Sequence, residues 1–164
     1  MIQIKHSRDT NLSARRVWEE IRHYDRVLKW IPGGDTSCIR ITGEGVGMIR
    51  DLELSTQGYV QHRLVAFDDK ERTFSYTLTA GQPIGMKEYT VVAQVVPIDS
   101  GHCTIRWTGN MTADKSLNEH SIGIALETAL RNMTTGIIAL IKGETPVFVE
   151  QPNENWQLMK TQKP

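Results

Sequence analysis

Arg50 lies in a row of apolar residues. Over 47–54 the alternation of a strand puts Met48, Leu52 and Leu54 on its face and turns Asp51 and Glu53 to the other. A guanidinium on an apolar face needs partners, because an unpaired charge removed from water is costly. Two readings follow. Arg50 meets a ligand carboxylate or an enolate-like oxygen, or it closes a buried salt bridge or carries its head out to the rim. On the next predicted strand His62 shares a face with Val60, Leu64 and Ala66. Its ordinary pKa of about 6.5 suits a general base, although a lone inward histidine is more often a satisfied structural group. Tyr76 falls between Phe74 and Leu78, Tyr89 precedes Val91, Ala93 and Val95, and Trp107 lies among Ile105, Gly109 and Met111. Mostly apolar walls with a few phenol and indole groups are the usual make-up of a small-molecule pocket. Arg50, His62, Tyr76 and Tyr89 are therefore the candidate catalytic set.

Other chemistries find no matching pattern. Gly43, Gly45 and Gly47 superficially resemble a phosphate loop, but a strand rather than a helix follows them, so a hairpin or bulge is the better reading. The five histidines are scattered without HxH or HExxH spacing, and Cys38 and Cys103 are too few for a zinc site or a disulfide framework. No metal and no cofactor is expected. Nineteen basic and nineteen acidic residues balance, which argues against a nucleic-acid partner reached by bulk charge. There is no run of 18 uncharged apolar residues and no signal-peptide core, so a cytoplasmic protein without membrane insertion is expected.

The elements that must hold these side chains can be read from periodicity. A strand is predicted over 2–8, a helix after Asn11 or Ser13 with Val17, Trp18 and Ile21 on one face, and a second short helix over about 25–30. Strands follow near 35–42, 47–54, 59–67, 73–79, 87–97 and 102–112, with turn-like joins that imply an antiparallel sheet. The stretch 116–142 reads as one long amphipathic helix, its stripe formed by Ile122, Leu126, Ala129, Leu130, Met133, Ile137, Leu140 and Ile141. A sheet curled around that helix leaves a cavity, with Leu126, Leu130 and Met133 as one wall and Gly136 a place where bulk is withheld. Met48, Leu52 and Trp107 would line the opposite wall. Glu119, near the helix start, fits the helix dipole. The expected division is a ligand-binding domain over 1–143 and a tail over 144–164, loosely held or docked through Val147, Phe148, Trp156, Leu158 and Met159.

The element order is that of an α+β helix-grip fold, and particular residues resemble a known group. Val17-Trp18, Trp30-Ile31-Pro32, the run from Gly43 to Arg50, Arg63-Leu64, Phe74-Ser75-Tyr76, Tyr89, Trp107 and the helix end Gly136–Lys142 are similar to the bacterial polyketide cyclase/dehydrase-like branch of the START/Bet v 1 (SRPBCC) superfamily. The resemblance covers about 2–142 and is more specific for fold than for reaction. It implies a curved sheet of about seven strands around a long C-terminal helix. It also implies a pocket mouth with Ile84 and Met86 of the 81–86 loop on one side and Trp30 and Pro32 on the other. Related proteins often carry an acid where His62 stands, which here leaves Arg50 without that counter-charge. The functional expectation is a hydrophobic small-molecule ligand, held by a monomer or homodimer. The protein would act either as a cofactor-independent cyclase or dehydratase on a carbonyl compound or as a lipid or metabolite carrier.

Overall fold

Alternating sequence becomes alternating burial along strands β1 (Ile2–Thr10), β2 (Cys38–Thr42), β3 (Ile49–Leu54), β4 (Gly58–Asp68), β5 (Thr73–Ala80), β6 (Met86–Asp99) and β7 (His102–Ala113). They form one seven-stranded antiparallel sheet in the order β1-β7-β6-β5-β4-β3-β2. This is a computed structural model, and it describes residues 1–151. Between β1 and β2 lie helix α1 (Ala14–Ile21) and 3-10 turns at Tyr24–Lys29 and Gly34–Thr36; a third turn, Pro83–Gly85, joins β5 to β6. The long helix α2 (Glu119–Lys142) closes the fold, which is the α+β helix-grip arrangement. By length and composition α2 could cross a membrane, but half of its apolar window is buried inside this fold. It serves as the core helix.

Capping sets the helix ends. Ser13 Oγ accepts from the Arg16 amide at 3.2 Å, which starts α1. Asn118 Oδ1 accepts from the amides of His120 and Ser121 at 2.9 and 3.2 Å, so α2 begins at Glu119 rather than Ser116. Gly143, at φ 70°, ends it. Trp107 Nε1 donates to Thr134 Oγ1 at 2.8 Å, and Thr134 donates to the Leu130 carbonyl at 2.8 Å, tying α2 to the middle of the sheet.

The expected stripe on α2 is only partly right. Leu126, Leu130 and Ile137 are buried, but so are Thr128, Asn132 and Thr134, while Ile124 and Leu140 are exposed. The helix is covered from more than one side. The sheet takes one face, and the chain after Gly143 folds back along another. There Asn132 Nδ2 donates to the Val149 carbonyl and Asn132 Oδ1 accepts from the Val149 amide, both at 2.8 Å. Gln151 Nε2 donates to the Ala125 carbonyl at 3.1 Å. The docking expected of Trp156, Leu158 and Met159 lies outside the described residues.

Alternation also breaks where strand register shifts, and β4–β5 has two such places, at Gln61/His62 and beyond Leu64. The β4–β5 register shifts between Leu64 and Ala66, so Ala66, expected on the His62 face, is exposed and Phe67 packs near Trp18 instead, ring centres 5.6 Å apart.

Candidate functional site

Arg50, on β3, pairs across the sheet with His62 on β4. Tyr76 on β5 and Tyr89 on β6 follow on the same concave face, so four neighbouring strands each place one polar group on it. All four side chains are buried. Arg50 Nη1 donates to the Tyr24 carbonyl at 2.8 Å and Nη2 donates to His62 Nδ1 at 3.0 Å. Its guanidinium carbon lies 3.8 Å from the centre of the Tyr24 ring and 4.9 Å from that of Tyr76. Two aromatic faces and two neutral acceptors thus stand where a carboxylate would be usual. Among the described residues no carboxylate pairs with Arg50, and neither the salt-bridge reading nor the snorkelling reading holds at 2% exposure.

The direction of the next hydrogen bonds follows from donor chemistry. Arginine only donates, so His62 Nδ1 must present its lone pair. Burial, aided by the adjacent Arg50 charge, pushes the His62 pKa well below 6.5, which keeps the ring neutral. Its single proton is then on Nε2, where the partner is the Tyr89 hydroxyl. His62 donates into the Tyr89 oxygen and has no lone pair left. In this arrangement His62 offers Tyr89 a proton rather than a lone pair. Burial also raises the Tyr89 phenol well above 10, so Tyr89 keeps a proton that His62 does not claim. Tyr76 is raised as well, by burial, with Arg50 opposing.

Tyr24 is the residue that strand alternation could not reveal. It belongs to a 3-10 turn, where a period of three puts Tyr24, Val27 and Trp30 on one buried side. Reading that segment at period three rather than 3.6 would have found it. Among the described residues its hydroxyl and Arg50 Nε are both buried without a hydrogen-bond partner. Burial raises the Tyr24 phenol, with Arg50 again opposing.

The expected ligand-lining residues fare differently. Leu52, Leu126 and Leu130 are sealed in the core around this site, and Trp107 is held to Thr134. Met48 and Pro32 are half-buried. Met133 is half-buried too, although Leu126, Leu130 and Ile137 on the adjoining turns are buried. On the sheet, Ile39, Leu54 and Leu78 are likewise only partly covered and pack against the core. Trp30 is not a solvent-facing rim: it is 1% exposed, and its indole donates to Glu20 Oε2 at 2.9 Å. Ile84 and Met86 are buried rather than exposed gates, with Ile84 at φ 47° in the turn. Gly136 is small for the sake of the backbone. A Cβ there would stand 1.9 Å from the Trp30 carbonyl oxygen. Near the glycine-rich hairpin the Gly47 amide donates to the Leu64 carbonyl at 2.7 Å and the Leu64 amide to that of Met48 at 2.9 Å, so that loop spends its groups on the sheet. Cys103 is buried, and its thiol is pushed up to about 11 by that burial. No cluster suited to a metal occurs among the described residues. A separate surface hollow of about 420 Å³ is lined by Asp9, Thr10, Asn11, Ile98, Asp99 and His102, where Asp99 is taken up by His102 Nδ1 at 2.7 Å.

The sequence model of the family described as "Polyketide cyclase / dehydrase and lipid transport" matches residues 1–140. The chain belongs to that family. Its solved structural relatives carry the same fold. The protein XoxI from Bacillus cereus superposes with a TM-score of 0.73 at 22% identity, over 87% of this chain and 95% of the other. Norcoclaurine synthase from Thalictrum flavum, in complex with dopamine and hydroxybenzaldehyde, superposes with a TM-score of 0.69 at 18% identity, over 89% of each chain. A solution structure from Thermobifida fusca gives 0.65 at 20% identity, over 88% of this chain and 98% of the other. Comparison with curated protein sequences gives no significant match.

Proposed function

We propose that this protein binds a hydrophobic small molecule between the concave face of the sheet and α2, with the polar end of that molecule turned toward Tyr89, His62 and Arg50. The observation that carries this reading is Arg50: a desolvated cation with no carboxylate partner among the described residues and a buried Nε–H without an acceptor. Such a group destabilises a fold unless something else completes it. The family description, which joins cyclases and dehydrases with lipid transport, supports an apolar ligand. So does the norcoclaurine synthase relative, a protein solved with aromatic molecules bound. The partly covered Met133, Leu78 and Leu54 supply apolar surface on both layers.

A second reading, favoured by the proton left on Tyr89, is a cofactor-independent cyclase or dehydratase acting on a carbonyl compound. There Tyr89 and Arg50 would hold the carbonyl oxygen as it gathers negative charge. With either reading we propose a cytoplasmic monomer or homodimer that works without a nucleic-acid partner, membrane insertion or cofactor. Native mass spectrometry of the purified protein, together with uptake of the neutral fluorophore N-phenyl-1-naphthylamine, tests the binding reading. Retained apolar mass or saturable uptake near one equivalent is expected. Protein that is consistently empty and takes up no probe refutes it.

A further inference from the structure

We infer that the anchor recognises oxygen acceptors through Tyr89: the Arg50–His62 pair points the His62 Nε2–H into the Tyr89 oxygen and so leaves the phenolic proton for a ligand carbonyl, enolate, phenolate or carboxylate. This rests on the ligand-binding reading and adds the class of the ligand and the division of labour among the residues.

Three observations carry it. The first is the order of the hydrogen bonds, Arg50 to His62 to Tyr89, which is fixed by the donor-only guanidinium. Charge at one end of such a chain polarises the rest, so the last hydroxyl becomes a stronger donor. The second is exposure. Tyr89 ends the hydrogen-bond chain. At 8%, against 4% for His62 and 2% for Arg50, it is the least covered of the three, which fits it to meet an incoming molecule with the other two acting through it. His62 is a positioning residue. The third is the sign of the site. Arg50 Nε–H and the Tyr24 hydroxyl have no partner among the described residues, whereas two of the acceptors facing Arg50, the Tyr24 carbonyl and His62 Nδ1, are occupied. The acid nearest in sequence, Asp51, is engaged by Tyr59, Gln61 and Arg40. An ammonium group would find no counter-charge here, while an anionic or polarised oxygen would find a donor backed by a cation.

Calorimetric titration with four naphthalene probes tests this: 2-naphthoate, 2-acetylnaphthalene, 2-methylnaphthalene and 2-naphthylmethylamine. The two oxygen probes are expected to bind at least tenfold more tightly than the amine. Tyr89→Phe should bring that ratio below threefold, with a native circular dichroism spectrum showing that the variant is folded. His62→Gln, whose amide can accept from Arg50 and donate to Tyr89, should keep the preference, and His62→Leu should lose it. Nitrogen NMR should find the His62 proton on Nε2 throughout pH 5–8. Equal binding of all four probes would leave the ligand reading standing and overturn the oxygen anchor. Absence of any binding would overturn both. A preference that survives Tyr89→Phe, or that His62→Gln and His62→Leu abolish alike, overturns the assigned roles.

Discussion

Gly136→Ala separates a structural glycine from one that makes room for a ligand. The added Cβ would lie 1.9 Å from the Trp30 carbonyl oxygen, 2.5 Å from its carbonyl carbon and 2.8 Å from its Cα. Ordinary carbon contacts lie at about 3.5–4.0 Å, so α2 and the Trp30 turn must part by more than roughly 1 Å. Every clashing atom is backbone, so no rotamer change relieves the contact. Overpacking of this kind costs about 3 kcal/mol at the upper end of its range, and replacing a helical glycine returns about 1 kcal/mol. The net loss is about 2 kcal/mol, a fall in Tm of roughly 4–8 °C for a chain of this size. Two other glycines serve as controls. At Gly123 the nearest atoms to the new methyl are side-chain ends, the Ile2 and Ile4 Cδ1 atoms at 2.7 and 3.0 Å, and both can swing away; near-neutral stability is expected. At Gly143 nothing lies within 4 Å and only the φ of 70° opposes the change, about 1 kcal/mol. Urea unfolding of the three variants checks the order Gly136 worst, Gly143 intermediate, Gly123 least. Gly136→Ala as stable as Gly123→Ala refutes the close approach. A stable Gly136→Ala that loses probe binding would restore the cavity role.

Other consequences are as direct. His62 and His6 both have pKa values lowered by burial, with Arg50 adding to the effect at His62 and Glu127 partly opposing it at His6. A histidine held neutral in the fold contributes stability that is present above its unfolded value near 6.5 and is lost as pH falls below it. Urea unfolding at pH 7.5, 6.0 and 5.0 should therefore show a decline before the carboxylates titrate, with a limiting slope of about 1.4 kcal/mol per pH unit for each such ring. His62→Gln should flatten it, and an unchanged slope would contradict a neutral His62. Thr134→Val keeps the side-chain shape but strands the Trp107 indole N–H, so a loss of about 1–3 kcal/mol is expected in the same assay. Asn132→Leu removes both bonds to Val149; hydrogen exchange at the Val149 amide should rise at least tenfold with the sheet amides unchanged, and unchanged protection refutes the docked segment.

Most of the concave face was legible because a strand has a fixed period of two. Val91, Ala93 and Val95, then Ile105, Trp107 and Met111, are buried just where alternation put them. Arg50, His62, Tyr76 and Tyr89 were identified the same way. The failures have local causes. Ala66 was misplaced because a bulge shifts the register by one, and nothing in Leu64-Val65-Ala66 announces it. The phase of α2 was blurred because Asn132 and Thr134 are buried by specific hydrogen bonds, which hydropathy scores as exposure. Tyr24 escaped because the expected helix over 25–30 left it out, whereas the 3-10 turn begins at Tyr24 itself. The role of His62 could not be read from its position at all. It depends on which nitrogen faces Arg50, a fact of geometry.

The account stands on a ligand meeting Tyr89 between the sheet and α2. Carbon and nitrogen NMR of protein labelled at methionine methyls and histidine rings, titrated with 2-naphthoate, observes that space directly. Saturable shifts at the Met133 methyl and at both His62 nitrogens, with His102 unmoved, are the predicted result. Shifts confined to His102 at the surface hollow, or none at Met133 and His62 at saturating probe, would contradict it.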